Sequence, residues 1–341
     1  MKSFRGVTLE TIADPGNMAK ARYFAGQRKE KRASVKSFGD EEIKDLIKDV
    51  LCMTYHPRKS HDFDRKDRTT GKIRHIISPA FRDQVLHHAI VQVLENSFTS
   101  YFHPHSLASL KNRGIEKGRK LVKKWSHTGK RLWVYQADIR KYYDNIDQAT
   151  LRRKLEKKIP DRRVVELIMR SLGLEQGLGR GSYLSQWLAN YFLTDFLHAA
   201  ARRFRLYRLM IYMDNMTFLA RSQRTLERLK AWSVRYLRDE GLEIKLKGPE
   251  AAQIYRWEDK RLDAVGYTTS RDGFQRLRGH IYISITRMMN RIEKKGSASR
   301  IQARSLLSRF GFVKHSSCRK LEIEMRNFIQ IYDLKKVAKA A

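Results

Sequence analysis

Two carboxylates in this sequence stand at the ends of apolar runs. Asp138 closes the aromatic-rich segment LWVYQA, and Asp214 lies between YRLMIY and MTFLA, with Asn215 beside it at the tip of what reads as a tight hairpin. Strand ends are where a rigid scaffold presents ligands. Brought together, two carboxylates suit Mg²⁺, which takes hard oxygen donors and keeps positions open for phosphate oxygens. Two such ions can activate a 3′ hydroxyl and stabilise a leaving pyrophosphate in an in-line displacement. Taken singly, each motif also has a plainer reading, Asp138 as a strand-end turn residue and Asp214-Asn215 as a hairpin turn.

The rest of the chain says what such a pair would act on. Its 341 residues carry 71 Lys and Arg against 36 Asp and Glu, a formal charge of +35, which excludes a neutral surface and calls for a polyanionic partner. Nucleic acid fits best. An anionic membrane is the lesser alternative, because no segment sets a large apolar face against a basic one. With 41% hydrophobic and 10% aromatic residues the chain can bury a core, at a length that suits two or three lobes. Cys52 and Cys318 form no disulfide framework and have no companions at zinc-ligand spacing, which fits a reducing compartment. No signal-like apolar stretch opens the sequence, so a soluble, cytoplasmic protein is expected.

Periodicity supplies the elements that must position the carboxylates. Residues 1–39 are polar, with Arg28, Lys29, Lys31, Arg32 and Lys36 clustered, and read as a basic arm that orders against a partner or stays solvated. A helix is expected from Glu41 to Met53 under an Asp40 cap, then a charged loop from Tyr55 to Thr70, a turn at Gly71 and the strand KIRHII. Apolar residues at helical spacing predict a core helix over 81–102, and RLWVYQA reads as a strand. Helices follow at 147–158, capped by Asp147, and at 161–172, and GLGRG opens a long helix reaching Phe204. Beyond the hairpin come a helix over 222–239, strands LEIKL and AVGYTT, and a helical, basic tail from Ile281.

Order and spacing bring these pieces together. DIRKYYDNI, QGLGRGSYLSQWLANYFL and YMDN resemble the A, B and C motifs of reverse transcriptases, in that order, within a resemblance that extends over roughly residues 70–320. KIRHIISPAFRDQVLHHAI resembles the preceding fingers segment, and GLEIKLKG and AVGYTT stand where the family has its D motif and primer grip. Within the family the chain looks most like the small bacterial and phage enzymes of diversity-generating retroelements. Gly181 to Gln186 follows their G-x-x-x-S-Q pattern, and SLLSRFGFVKHSSCRKLE resembles their thumb.

Carried over by position, the resemblance makes Asp138 and Asp214 the metal-binding carboxylates, with the carbonyl of Ile139 as a further ligand to two Mg²⁺ ions, or Mn²⁺ in their place. Tyr143 matches the steric gate whose ring excludes a 2′ hydroxyl and so favours dNTPs. Its plainer reading is core packing beside Tyr142 and Ile146. Arg74 matches a fingers contact to the triphosphate, with Lys72 on the same face of the strand. Gly177, Gly179 and Gly181 would let backbone approach the base pair, Ser182, Ser185 and Gln186 would start the helix beside it, and Arg180, Gly181 and Gln186 would be among the dNTP-binding residues. Lys247, with Lys245 as the alternative, matches the proton donor to pyrophosphate.

Two departures stand out. Asn215 replaces the second aspartate of the C motif, which keeps an oxygen donor and removes a charge. Arg180 stands where mutagenic retroelement enzymes carry a branched apolar residue, so adenine-directed infidelity is not implied.

The expected architecture is α/β (α+β), a right-hand polymerase. It has a basic arm at 1–39, fingers at 40–130, a palm with an antiparallel sheet at 131–275 with inserted fingers helices at 150–185, and a helical thumb at 276–341. The resemblance implies an RNA-directed DNA polymerase that adds dNTPs to a primer and makes nascent cDNA from a structured retroelement template RNA. A basic accessory protein is the implied partner, with no membrane role. No RNase H, maturase or endonuclease domain is expected, since each would need about 100 further residues. The alternatives are a defence-associated or retron-like reverse transcriptase, and a non-catalytic RNA-binding scaffold with a site silenced by Asn215. An RNA polymerase is disfavoured by Tyr143.

Overall fold

The computed structural model describes residues 3–66, 71, 73–128, 131–248 and 251–339. The amino-terminal segment departs from the expected arm, because it forms α1 (Leu9–Ala13), α2 (Pro15–Gly26) and α3 (Ala33–Lys36) ahead of α4 (Asp40–Leu51). Leu9, Ile12, Met18, Ala21 and Ala25 are buried in the main core, where α2 lies along the long helix α5 (Phe81–Tyr101). Charged residues dilute this apolar set and hide it from composition, while Thr8 and Asp14 cap the first two helices. Gly39, not Asp40, is the cap of α4, and its N–H is satisfied by the Glu42 carboxylate at 2.7 Å.

The charged stretch expected as loop contains β1 (His61–Lys66), which pairs antiparallel with β2 (Ile73–Ser78) from His61↔Ser78 to Lys66↔Ile73. Both faces of β1 are exposed, so it lacks the apolar alternation that marks a strand in sequence.

After α6 (Gly114–Ser126) the chain lays down β3 (Trp133–Asp138), α7 (Tyr142–Asn145), α8 (Gln148–Glu156) and α9 (Arg162–Ser171). Next come α10 (Tyr183–Phe192), α11 (Thr194–Arg203), β4 (Arg208–Tyr212), β5 (Asn215–Ala220), α12 (Gln223–Asp239) and β6 (Gln253–Arg256). The four strands form one antiparallel sheet in the order β4-β5-β3-β6. Both its faces are covered. Tyr135, Ala137, Leu209, Ile211, Met216 and Phe218 enter the main core, while Val134, Met210 and Leu219 enter a second cluster with Val122, Trp125 and Trp257.

The long helix expected after GLGRG is two, divided at Leu193, where the Thr194 hydroxyl donates to the Asn190 carbonyl at 2.8 Å and competes with the helical ladder. LEIKL is not a strand, since it contributes a single bridge, Ile139↔Ile244.

AVGYTT turns back on itself. It spans the end of β7 (Leu262–Ala264) and all of β8 (Tyr267–Thr269), with Val265 and Gly266 in the left-handed region at φ +46° and +90°, and β9 (Gln275–Leu277) completes a small sheet. The helices α13 (Gly279–Lys295), α14 (Arg300–Lys314), α15 (Arg319–Ile331) and α16 (Leu334–Lys339) then bury their own cluster around Ile285, Ile292, Leu306, Val313 and Met325. The buried Gln275 amide links this lobe to α6, accepting from Arg119 at 2.8 Å and donating to its carbonyl at 3.1 Å. The fold is the expected mixture of helices and antiparallel sheets, and among the described residues no helix is long and apolar enough to cross a membrane.

Asp161 ties the amino-terminal helices to this frame. It caps α9 through the Arg163 N–H at 3.0 Å and also accepts the Leu9 N–H at 3.1 Å. Asp161→Ala is expected to cost about 1–2 kcal/mol in urea unfolding, and Asp161→Asn much less. An alanine variant as stable as the parent would show that neither bond contributes.

Candidate active site

Strand register brings the two aspartates to the same end of the sheet. Asp138 is the last residue of β3 and sits opposite Asn215, the first residue of β5, while Tyr212 pairs with Asn215 across the β4–β5 hairpin. The two-residue tip is therefore Met213-Asp214, one position earlier than the expected Asp214-Asn215, and Met213 adopts φ +58° to make it. The Ile139 N–H donates to the Asp214 carbonyl at 3.2 Å and fastens the tip to the end of β3. Asp138 is 7% exposed, Asp214 half-buried and Asn215 exposed. The segment after α12 closes the far side. The Lys245 N–H donates to the Asp138 carbonyl at 2.9 Å, and its ammonium pairs with the Asp138 carboxylate. Asn215 donates its amide to Asp214 at 3.2 Å, a bond that an aspartate could not make.

Beside the carboxylates the chain turns through Lys141, at φ +43°, into α7. Tyr142 is buried and donates to the Ala189 carbonyl at 2.6 Å, so it is the core residue of the pair. Tyr143 is half-buried, with its hydroxyl 3.5 Å from the Met213 sulfur. Burial, helped by the Asp214 charge and opposed by Arg180, pushes its phenol up to about 12.

The glycine-rich loop is wedged between this turn and β2. A Cβ on Gly177 would lie 2.8 Å from the carbonyl oxygens of Tyr143 and Asp144, and one on Gly181 would lie 2.6 Å from the Ile77 carbonyl oxygen. Gly179 meets only ordinary contacts. Leu178 donates to the Tyr143 carbonyl and Ile77 to the Arg180 carbonyl, both at 2.7 Å, and the Arg180 guanidinium pairs with Asp144 at 2.7 Å.

Residues 59–258 match the family described as reverse transcriptase (RNA-dependent DNA polymerase). The chain belongs to that family. This reverse transcriptase is 28% identical over 169 residues to the group II intron-encoded protein LtrA of Lactococcus lactis, a match covering 46% of this chain and 28% of that protein. It is 25% identical over 143 residues to protein YkfC of Escherichia coli, covering 38% of each. It is 32% identical over 114 residues to the mitochondrial nuclear intron maturase 1 of Arabidopsis thaliana, covering 30% of this chain and 14% of that one. The matched regions are thus well under half of each relative's length. Among solved structures, apo telomerase from Candida tropicalis superposes with a TM-score of 0.50 at 13% identity, over 71% of this chain and 54% of that one, a likeness of fold.

In the reverse transcriptase chain the donors around Asp138 fit a divalent ion. Two carboxylates and the Ile139 carbonyl are hard oxygen ligands, and a cation, the Lys245 ammonium, already stands on Asp138. Among the described residues no group of three or more His, Cys, Asp or Glu forms a protein-only cage. A site of this kind takes its remaining oxygens from phosphates and water. Lys247 is exposed two residues beyond Lys245. Arg74 is exposed on β2, and Lys72 lies outside the described residues. Gln186 is half-buried on α10, whose cap, Ser182, accepts from Ser185 at 3.3 Å and meets the buried His87 at 3.2 Å. Asp144, Met213 and Ile77 were not singled out from sequence. Asp144 alone had a signal there, its place directly after Tyr143.

Gly181→Ala combines a backbone at φ +116° with a methyl group forced against β2. Urea unfolding is expected to show a loss of about 2 kcal/mol or more, against almost none for Gly179→Ala. Equal effects at the two positions would refute the wedge.

Proposed function

We propose that this chain is an RNA-directed DNA polymerase that extends a primer with dNTPs on a template RNA. The observation that carries the reading is the convergence of Asp138, Asp214 and Tyr143 at one end of the sheet, fastened by the Ile139 to Asp214 bond of 3.2 Å. Asp138, Asp214 and the Ile139 carbonyl would hold two Mg²⁺ ions, or Mn²⁺ in their place. When bound, these supply Lewis-acid activation of the 3′ hydroxyl and charge stabilisation of pyrophosphate.

The protein's own groups do the rest. The neutral Tyr143 ring blocks a 2′ hydroxyl, and Arg74, with Lys72, neutralises the triphosphate. The glycine-rich loop, with Arg180 and Gln186, holds the base pair, and the wedge between Tyr143 and β2 keeps it rigid. Lys245 is engaged with Asp138, which leaves the exposed Lys247 to give its proton to pyrophosphate.

The finer assignment, to the enzymes of diversity-generating retroelements, is supported by the Gly181 to Gln186 pattern and the tail after Ser305. It brings a structured retroelement RNA as template, a basic accessory protein and a bacterial cytoplasmic setting. The relatives are named as an intron-encoded protein and an intron maturase, which favours a structured RNA as partner whichever subfamily is right.

Primer extension with Mg²⁺ or Mn²⁺ tests the reading. Asp138→Ala is expected to lose at least about 10³-fold in rate, and Asn215→Asp, by adding a ligand charge, to lower the Mg²⁺ concentration needed by about tenfold. Tyr143→Ala should admit ribonucleotides while the parent rejects them. The missing charge at Asn215 favours one second reading, a scaffold that binds RNA without extending it. Tight RNA binding, with no extension by the parent or by Asn215→Asp, would establish that reading.

A further inference from the structure

The sheet has two ends, and only one carries the aspartates. At the other, Arg208 pairs with Leu219, and Trp133 pairs with both Ala220 and Arg256, so the α11–β4 connector and the start of α12 come together there. The six residues of β3 from Trp133 to Asp138 separate the two ends by about 17 Å, at roughly 3.3 Å per residue.

The α11–β4 connector and the start of α12 are strongly basic at this end, while the turn after β6 brings Glu258, paired with Arg271 at 3.4 Å, and the exposed Asp259. From Arg202 to Lys230 the sequence holds eight Arg and Lys against two carboxylates, of which Asp214 belongs to the opposite end and Glu227 accepts from Gln223 at 2.8 Å. Arg203, Arg205, Arg221, Arg224 and Arg228 are exposed, and among the described residues none of them meets a carboxylate within ion-pair distance. Unrelieved like charges repel one another, and a polyanion laid across them removes that cost while releasing counterions.

An aromatic ring stands in the same connector. Arg205 takes the left-handed conformation at φ +49°, the chain turns, and Tyr207 emerges 82% exposed, the most exposed large apolar side chain among the described residues. Its neighbours are held firmly. Leu206 is buried, and Phe204 packs edge-on against Trp232 with ring centroids 5.6 Å apart. An exposed ring on a well-anchored connector rich in arginine is a stacking platform for an unpaired base, with the guanidinium groups on the flanking phosphates.

We propose that this end of the sheet is a second RNA-binding surface, outside the polymerase cleft, which takes a looped or single-stranded RNA segment. It holds the phosphates on Arg205, Arg221 and Arg224 and stacks a base on Tyr207. The inference rests on charge and exposure and stands whether or not the chain extends primers.

The test is fluorescence anisotropy of a blunt-ended RNA hairpin bound to the full chain, with unlabelled primer–template duplex added to occupy the cleft. The triple variant Arg205→Glu, Arg221→Glu, Arg224→Glu is expected to weaken hairpin binding more than tenfold and to reduce the log–log salt slope by about three. Tyr207→Ala is expected to weaken it by about tenfold and to leave binding of a fully paired RNA duplex unchanged. This variant also keeps the test decisive if the triple variant does not fold. Extension of a short unstructured template should be unaffected by either. Hairpin binding unchanged in both variants overturns the proposal. So does a parallel loss of primer–template binding, which would mark a general charge effect, and so does polyglutamate competing as well as RNA, which would mark a surface for an acidic protein.

Discussion

The register of β3 against β5 is the constraint on which the site depends. With Asp138 opposite Asn215, Tyr135 lies opposite Phe218, and their rings stack at 5.7 Å inside the main core. A slip of β3 by one residue against β5, which β4 holds in place, would turn the Tyr135 ring out of that core and carry Asp138 away from the Asp214 tip. The burial of two aromatic residues thus sets the position of two carboxylates at the strand end. Both faces of the sheet are covered, so the alternative register has no solvent-facing side on which to place the displaced side chains.

Placing a nearly buried carboxylate beside a second one is costly unless charge compensates. The chain meets that cost with Lys245 on Asp138 and with the neutral amide of Asn215 on Asp214. The arrangement places one of the protein's own cations against its most buried site carboxylate. The net charge of +35 works at longer range, favouring the approach of a polyanion. The exposed arginines at the far end of the sheet, which meet no carboxylate among the described residues, gather part of this charge locally.

Rigidity around the site comes from backbone contacts more than from side chains. The glycine-rich loop touches the carbonyls of Tyr143 and Asp144 on one side and of Ile77 on the other, distances only glycine allows. The ion pair of Arg180 with Asp144 closes the same ring. One loop thereby contacts both β2 and the turn that carries Tyr143.

Much of this was legible in the residues alone. The helices α5 and α12, the cap Asp147, the strand β3 and the place of the two aspartates at strand ends follow from periodicity, capping chemistry and motif order, because each is a local property of a few neighbouring residues. The amino-terminal helices and β1 were not legible. The first hide a sparse apolar set among charges, and the second is exposed on both faces, so its only signature is its partner strand. The hairpin tip was placed one residue late, since the choice between Met213-Asp214 and Asp214-Asn215 is made by pairing with β3 and not by turn propensity. The engagement of Lys245 with Asp138 and the wedge of Gly181 against Ile77 were decided by tertiary structure alone. Each joins segments far apart in the chain, and no local pattern of residue types specifies which distant segment will arrive.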